Sequence, residues 1–294
     1  MLKSKKAYLY AGLAILFWGT SASAFKIGLR YLDHYQLLFI ASFTSTVFLF
    51  GIILFQKKNW KIKQIKRKEL LRTTLLGFLN PFLYYVILFK AYDLLPAQVA
   101  QPLNFIWPIT LVLLSIPILK QRLTTKGILA LIISFVGVFL ISSEGNITNM
   151  NFANPLGVVL ALGSSVVWAL FWLFNMKNKG DEIVQLFLNF LTAFILIGIT
   201  TLLFSDVKIT STNGILSGIY IGLFEMGITF VVWLKALKLS ERTDKISNLI
   251  YLTPFCSLVF ISIFLHEKIF ITTFFGLILI ILGIFIQQSK KIKI

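Results

Sequence analysis

The chain has 294 residues, is 57% hydrophobic and 13% charged, and has a mean hydropathy of +0.87. A soluble domain needs more polar surface than that, so an all-α polytopic membrane protein is expected. The net charge of +17 does not indicate nucleic-acid binding, because the basic residues sit in short loops between apolar runs.

Ten apolar segments follow one another at about 7–28, 35–56, 70–91, 97–119, 125–142, 155–176, 183–204, 213–236, 246–265 and 269–287. Most approach the ~20 helical residues that cover a ~30 Å hydrocarbon core. In the first, Lys3, Lys5 and Lys6 precede a run ending in Ala22-Ser23-Ala24, which imitates a secretory cleavage site. The run is longer than a signal core and has a counterpart later in the chain, so it is read as a retained span. With the N-terminus inside, only Lys26, Arg30, Lys90, Lys208 and Lys268 of the 28 basic residues fall outside. That asymmetry places both termini in the cytoplasm. The run from Lys57 to Arg72 is the strongest anchor. It is basic enough to attract RNA or anionic lipid, but a plain positive-inside loop accounts for it.

An internal repeat divides the chain into residues 1–150 and 151–294. The segment GFLNPFLYYVILFKA, from Gly77 to Ala91, matches GLFEMGITFVVWLKA, from Gly222 to Ala236, at a shift of 145. This sets Asn80 opposite Glu225. At a shift of 146, Pro108 meets Pro254, Gln121 meets Glu267 and Gly137 meets Gly283. Trp18 falls on Trp168, and Gln36 on Gln185, at shifts of 150 and 149. Five spans per half is an odd number, so the halves are expected to be inverted, as in secondary transporters with a midplane site.

The fourth segment carries Gln101, Pro102, Asn104, Trp107 and Pro108 close together, and the ninth repeats the theme from Ser247 through Tyr251 to Pro254. Proline frees backbone groups that are tolerated only against protein or a cavity. Packing alone also explains such kinks, as it does the in-span tryptophans Trp18, Trp107, Trp168 and Trp172. Indoles away from the headgroup zone are nevertheless good walls for an amphipathic or cationic ligand. The small-residue run after Trp18, Gly19 to Ala24, is read as a close helix contact and not as a site.

The eighth segment holds Glu225, the one acidic residue inside any predicted span. On a regular helix it shares a side with Gly214, Gly218, Gly222 and Thr229. A carboxyl at that depth faces protein or trapped water, either as a structural hydrogen-bonding group or as a proton carrier and substrate anchor. Cys256 stands alone in a span, which excludes a disulfide framework. His34 and His266 sit at loop edges with no cluster suited to a metal.

The motifs N-F-I-W-P (Asn104 to Pro108) and Y-L-T-P (Tyr251 to Pro254) resemble those of the drug/metabolite transporter superfamily. So do W-G-T in the first span, W-A-L-F-W in the sixth and H-E-K before the tenth. The chain looks like an EamA-type ten-helix member, most similar to the YddG-type exporters of aromatic amino acids. The resemblance implies that Phe105, Trp107 and Trp168 line a central cavity with Asn80 and Tyr84. Two positions depart from it: Ala41-Ser42-Phe43 stand where many members carry an arginine, and Gln121 replaces a glutamate that Glu267 keeps.

The expected function is a plasma-membrane secondary transporter, an exporter of a small amino-acid-like or amine-bearing metabolite, with no cofactor or metal. Asn80, Tyr84, Asn104, Phe105, Trp107, Trp168, Glu225 and Tyr251 form the expected binding set, and Glu225 is the candidate for exchanging a proton. Besides the substrate and the surrounding lipids, protons are the one further partner considered. A lipid or polyprenyl-phosphate flippase is the alternative; it calls for Lys or Arg in the cavity. An enzyme is not expected, because clustered carboxylates, histidines, a Ser/Lys pair, a P-loop and a dinucleotide fingerprint are all missing from the sequence.

Overall fold

The computed structural model describes residues 2–58, 61–62, 64–119, 125–145, 153–175, 180–206, 208–209, 211–240, 246 and 248–288. Trp60, Gln121 and Ser247 lie outside these, as do several basic loop residues. Helical residues occupy each of the ten apolar segments, and no strand occurs among the described residues. Backbone groups in an apolar setting must be satisfied within the chain, which an α-helix does residue by residue.

The helices are α1 (Leu2–Leu29), α2 (His34–Phe55), α3 (Arg67–Leu94), α4 (Ala97–Asn104), α5 (Trp107–Leu119) and α6 (Thr125–Ser142). They continue as α7 (Pro155–Asn175), α8 (Glu182–Phe204), α9 (Thr212–Leu239), α10 (Thr253–Leu265) and α11 (Ile271–Gln288). Six of them, α1, α2, α3, α7, α8 and α9, are long and apolar enough to cross a membrane; α6, α10 and α11 are shorter apolar helices. The fourth segment is broken between α4 and α5 at Phe105 and Ile106.

Breaks fall where the sequence repeats. At Asn80 the backbone of α3 is extended, φ −146° and ψ 119°, inside a π turn over Phe78–Leu83, and Pro81 has no N–H to continue the ladder. In α9 the π turn Ile221–Glu225 ends at Met226, whose N–H bonds to Ile221 O at 3.1 Å. Asn80 and Glu225 are the pair matched at a shift of 145. The α4–α5 break likewise has its counterpart in the 3-10 turn Leu249–Leu252 ahead of α10. The caps recur too: Asp33 accepts from the backbone N–H groups of Tyr35 and Gln36 at the start of α2, and Asp181 from those of Ile183 and Val184 at the start of α8.

Packing runs in reciprocal pairs between the two halves of the chain. Helix α1 packs on α9 and α10, while α7 packs on α3 and α5; α2 meets α9, and α8 meets α3; α2 meets α8, and α6 meets α11. Glycines permit the closest approaches. A Cβ on Gly137 would lie 2.6 Å from Gly276 O, and one on Gly283 2.8 Å from Ala130 O. At a shift of 146 these are the same contact with the halves exchanged.

One sequence expectation changes here. Gly214, Gly218 and Gly222 do share a face, set against Leu32, Ile40 and the Ala41 carbonyl at and beyond the start of α2. Glu225 does not stay on it. The wider i→i+5 turn rotates Glu225 off the glycine stripe and onto α1 and α3.

Asp181 also ties down the loop before α3. Lys61 and Lys58 approach its Oδ2 at 2.7 and 3.0 Å. Partial burial pushes this carboxyl up, but hydrogen bonds from Lys61 and Lys58 outweigh it and hold Asp181 down at about 2. Its folded value lies below the usual ~3.9, so its stabilisation is present above pH ~4 and is lost as pH falls toward ~2. In Asp181→Asn, hydrogen exchange in loop residues 61, 62 and 64–66 is expected to accelerate at neutral pH. Equal exchange in both proteins would mean that the ion pairs do not restrain the loop.

Candidate functional site

Helices α1, α3, α4, α5, α7 and α9, the turn before α10 with Thr253 at the start of that helix, and a residue of α11 line a cavity of about 540 Å3. Its wall is mostly aromatic. Trp168 on α7 stands 4.8 Å from Tyr84, 6.5 Å from Trp107 and 6.1 Å from Trp172, measured between ring centroids. Across the chamber Trp18 packs edge-on against Trp233 at 5.7 Å, and Phe230 touches both groups, 5.8 Å from Trp18 and 6.2 Å from Trp168. Phe105 and Tyr251 meet edge-on at 6.4 Å, one from each of the two matched breaks. Prolines at 108 and 254 keep these breaks open, so their side chains are delivered to the chamber and not into a continuous helix.

Glu225 lies in this wall and is 8% exposed. Its Oε2 accepts from Ser21 Oγ at 2.5 Å, and its Oε1 accepts from the Tyr85 hydroxyl at 3.0 Å. Ser21 Oγ also lies 3.2 Å from Phe17 O, but its single proton can serve only one acceptor at a time. Helices α1, α3 and α9 therefore converge on one carboxyl, at the point where α9 departs from regular geometry. With the carboxyl ionised, bonds of this kind are charge-assisted and belong to the stronger class, and they fix the orientation of the group.

Several other polar groups of the wall are engaged, while Trp168 Nε1 and Thr253 Oγ1 have no partner among the described residues. Tyr84 donates to Asn104 Oδ1 at 3.2 Å, and Asn104 Nδ2 donates to Ser164 Oγ at 2.8 Å. Tyr92 donates to Gln101 Oε1 at 2.5 Å. Beyond Tyr92 polar contacts gather at one end of the bundle. Lys26 donates to Tyr92 O and Leu95 O at 2.8 and 3.0 Å, and Glu267 accepts from the Ala97 and Gln98 N–H groups at the start of α4. Gln98 in turn bonds the Phe270 N–H and Lys268 O in the turn before α11. The carboxylate of Glu267 sits at a helix N-terminus, where unpaired N–H groups favour negative charge.

Of the eight residues expected to form the site, Tyr84, Asn104, Phe105, Trp107, Trp168, Glu225 and Tyr251 line the cavity together. Asn80 does not. It is buried at the break in α3, 3% exposed, and is absent from the cavity wall; its extended backbone turns it away from the Tyr84 face. Sequence reasoning missed Ser21, Tyr85 and Tyr92. The small-residue run of α1 does make the predicted close contact, through Gly19, whose Cβ would lie 3.2 Å from Cys256 on α10. Two residues further on, Ser21 faces the opposite way, toward Glu225. A lone buried carboxyl needs donors, and that need was the available signal; which of Tyr84 and Tyr85 would supply one was not legible.

The EamA-like transporter family pattern matches this chain twice, over residues 5–143 and 155–287. The chain is 30% identical to the uncharacterized transporter YvbV of Bacillus subtilis, over 98% of this chain and 93% of that protein. It is 28% identical to an uncharacterized transporter of Archaeoglobus fulgidus, over 97% and 100%. With the probable amino-acid metabolite efflux pump of Escherichia coli it shares 24% identity over 97% and 95%. A solved crystal structure shares its fold with a TM-score of 0.62 at 18% identity, covering 96% of each chain. Apolar helices, an aromatic chamber with a buried carboxyl, and both matched stretches belong to one chain, a multi-pass membrane protein of the EamA-like transporter family.

Proposed function

We propose that this protein exports a small amine-bearing or amino-acid-like metabolite across the plasma membrane by alternating access. In this reading ten spans form two inverted five-helix halves, residues 1–150 and 151–294, with both termini in the cytoplasm. Reciprocal helix pairing supports the inversion, since every major contact between halves has a partner with the halves exchanged. Distribution of the basic residues supports the orientation.

The observation that carries the reading is Glu225, a carboxyl buried in an aromatic chamber between the halves. Tyr84, Phe105, Trp107, Trp168 and Tyr251 hold the apolar part of the substrate, and Asn104 offers hydrogen bonds. Glu225 receives the ammonium and exchanges a proton for it. Rocking the halves about the chamber would break the bonds from Ala97 and Gln98 to Glu267, which join the halves at one end, while closing the other. The flippase alternative gains nothing, because none of the described lining residues is Lys or Arg to meet a phosphate. Membership of a transporter family also weighs against catalysis.

Proteoliposomes with an imposed pH gradient, offered a panel of radiolabelled amines and amino acids, test this directly. At least one compound is expected to move against its gradient. Trp168→Ala is expected to reduce that flux about tenfold through lost ring contacts, while Trp60→Ala in the loop stays near wild type. Equal losses in the two variants would remove the tryptophan wall from the substrate path.

A further inference from the structure

Resting on the export reading above, the charge balance of the chamber narrows the substrate class. Glu225 is the only charged group in the described cavity wall; Lys, Arg and His are absent from that wall. Lys26, next in sequence to the lining residue Phe25, already gives its ammonium to the carbonyls of Tyr92 and Leu95. Several neutral donors are committed as well, Tyr84 to Asn104, Asn104 to Ser164, and Tyr92 to Gln101, so that Trp168 Nε1 and Thr253 Oγ1 are the buried lining donors without a partner, and neither carries a charge.

A cation entering this chamber meets a carboxylate and a wall that includes the indoles of Trp18, Trp168, Trp172 and Trp233. Each carboxylate oxygen has taken one donor, which leaves acceptor capacity for an ammonium. A free amino acid brings a second, negative group into the same 540 Å3. That carboxylate finds no counter-charge in the wall, loses its water, and is repelled by Glu225 at low effective dielectric. We infer that the chamber selects a monocation, an ammonium on an apolar body whose carboxyl is absent, esterified or amidated, over the parent zwitterionic amino acid. Glu225 is then the specificity-determining residue as well as the anchor.

Calorimetric titration of the purified full-length protein in detergent would test this with 2-phenylethylamine, L-phenylalanine methyl ester and L-phenylalanine, each affinity referred to the ammonium form of the ligand. The amine and the ester are expected to bind at least about thirtyfold more tightly than phenylalanine. In Glu225→Gln the ester-to-acid ratio is expected to fall to within about threefold, since both attraction for the cation and repulsion of the carboxylate are lost. Proteoliposome counterflow with the same three compounds gives a second readout independent of detergent. Phenylalanine binding within threefold of the ester, or a ratio unchanged by E225Q, would overturn the selection while leaving export of an amino-acid-like substrate standing. Failure of all three to bind or move would sink the amine-export reading, and this inference with it.

Discussion

Glu225→Gln is expected to abolish pH-driven flux in proteoliposomes while the protein stays folded. The amide is nearly isosteric, and its oxygen still accepts from Tyr85 or Ser21, so the convergence of α1, α3 and α9 is kept. What disappears is a group able to take up and release a proton. No other carboxyl lies in the described wall of the chamber to replace it. Flux driven by a pH gradient is therefore expected to fall to the level of empty liposomes, and the thermal midpoint in detergent to shift by no more than a few degrees. A retained pH response in E225Q would remove this carboxyl from the coupling step. Loss of flux together with a collapsed melting transition would assign it a structural role instead.

Gly137→Ala is expected to destabilise the fold by about 1–3 kcal/mol, the usual cost of forcing atoms into a packed interior. Its new Cβ would lie 2.6 Å from the Gly276 carbonyl and 3.0 Å from the Ile280 side chain, and backbone cannot step aside as a flexible side chain does. Gly276→Ala meets the reciprocal obstacle, 2.6 Å from Gly137 O, and is expected to behave alike. Gly51→Ala is the control, because nothing lies within 4 Å of the added atom. It is expected to be neutral or slightly stabilising, since alanine is the better helix former. Thermal unfolding in a single detergent compares all three. Coincident midpoints would show that α6 and α11 separate easily enough to accept a methyl group.

The amino-acid sequence was sufficient for the class of the fold and the approximate helix positions, while part of the chamber wall came from the resemblance to a known family. Fold class and helix positions follow from local physics: apolar runs of spanning length must be helical, and prolines at 102, 108 and 254 mark where helices cannot stay regular. The breaks at Asn80 and Glu225 were aligned by the repeat before any geometry was known. Tertiary structure decided which way each side chain faced. A π turn at Ile221–Glu225 shifts the angular register of α9, so the side shared by Gly222 and Glu225 on a regular helix is shared no longer. The extended residue Asn80 similarly turns away from the cavity that Tyr84 lines. In helices apolar on nearly every side, periodicity says little about orientation. Only packing against neighbours distant in sequence, such as Ser21 on α1 and Tyr85 on α3, brought donors to the one buried carboxyl.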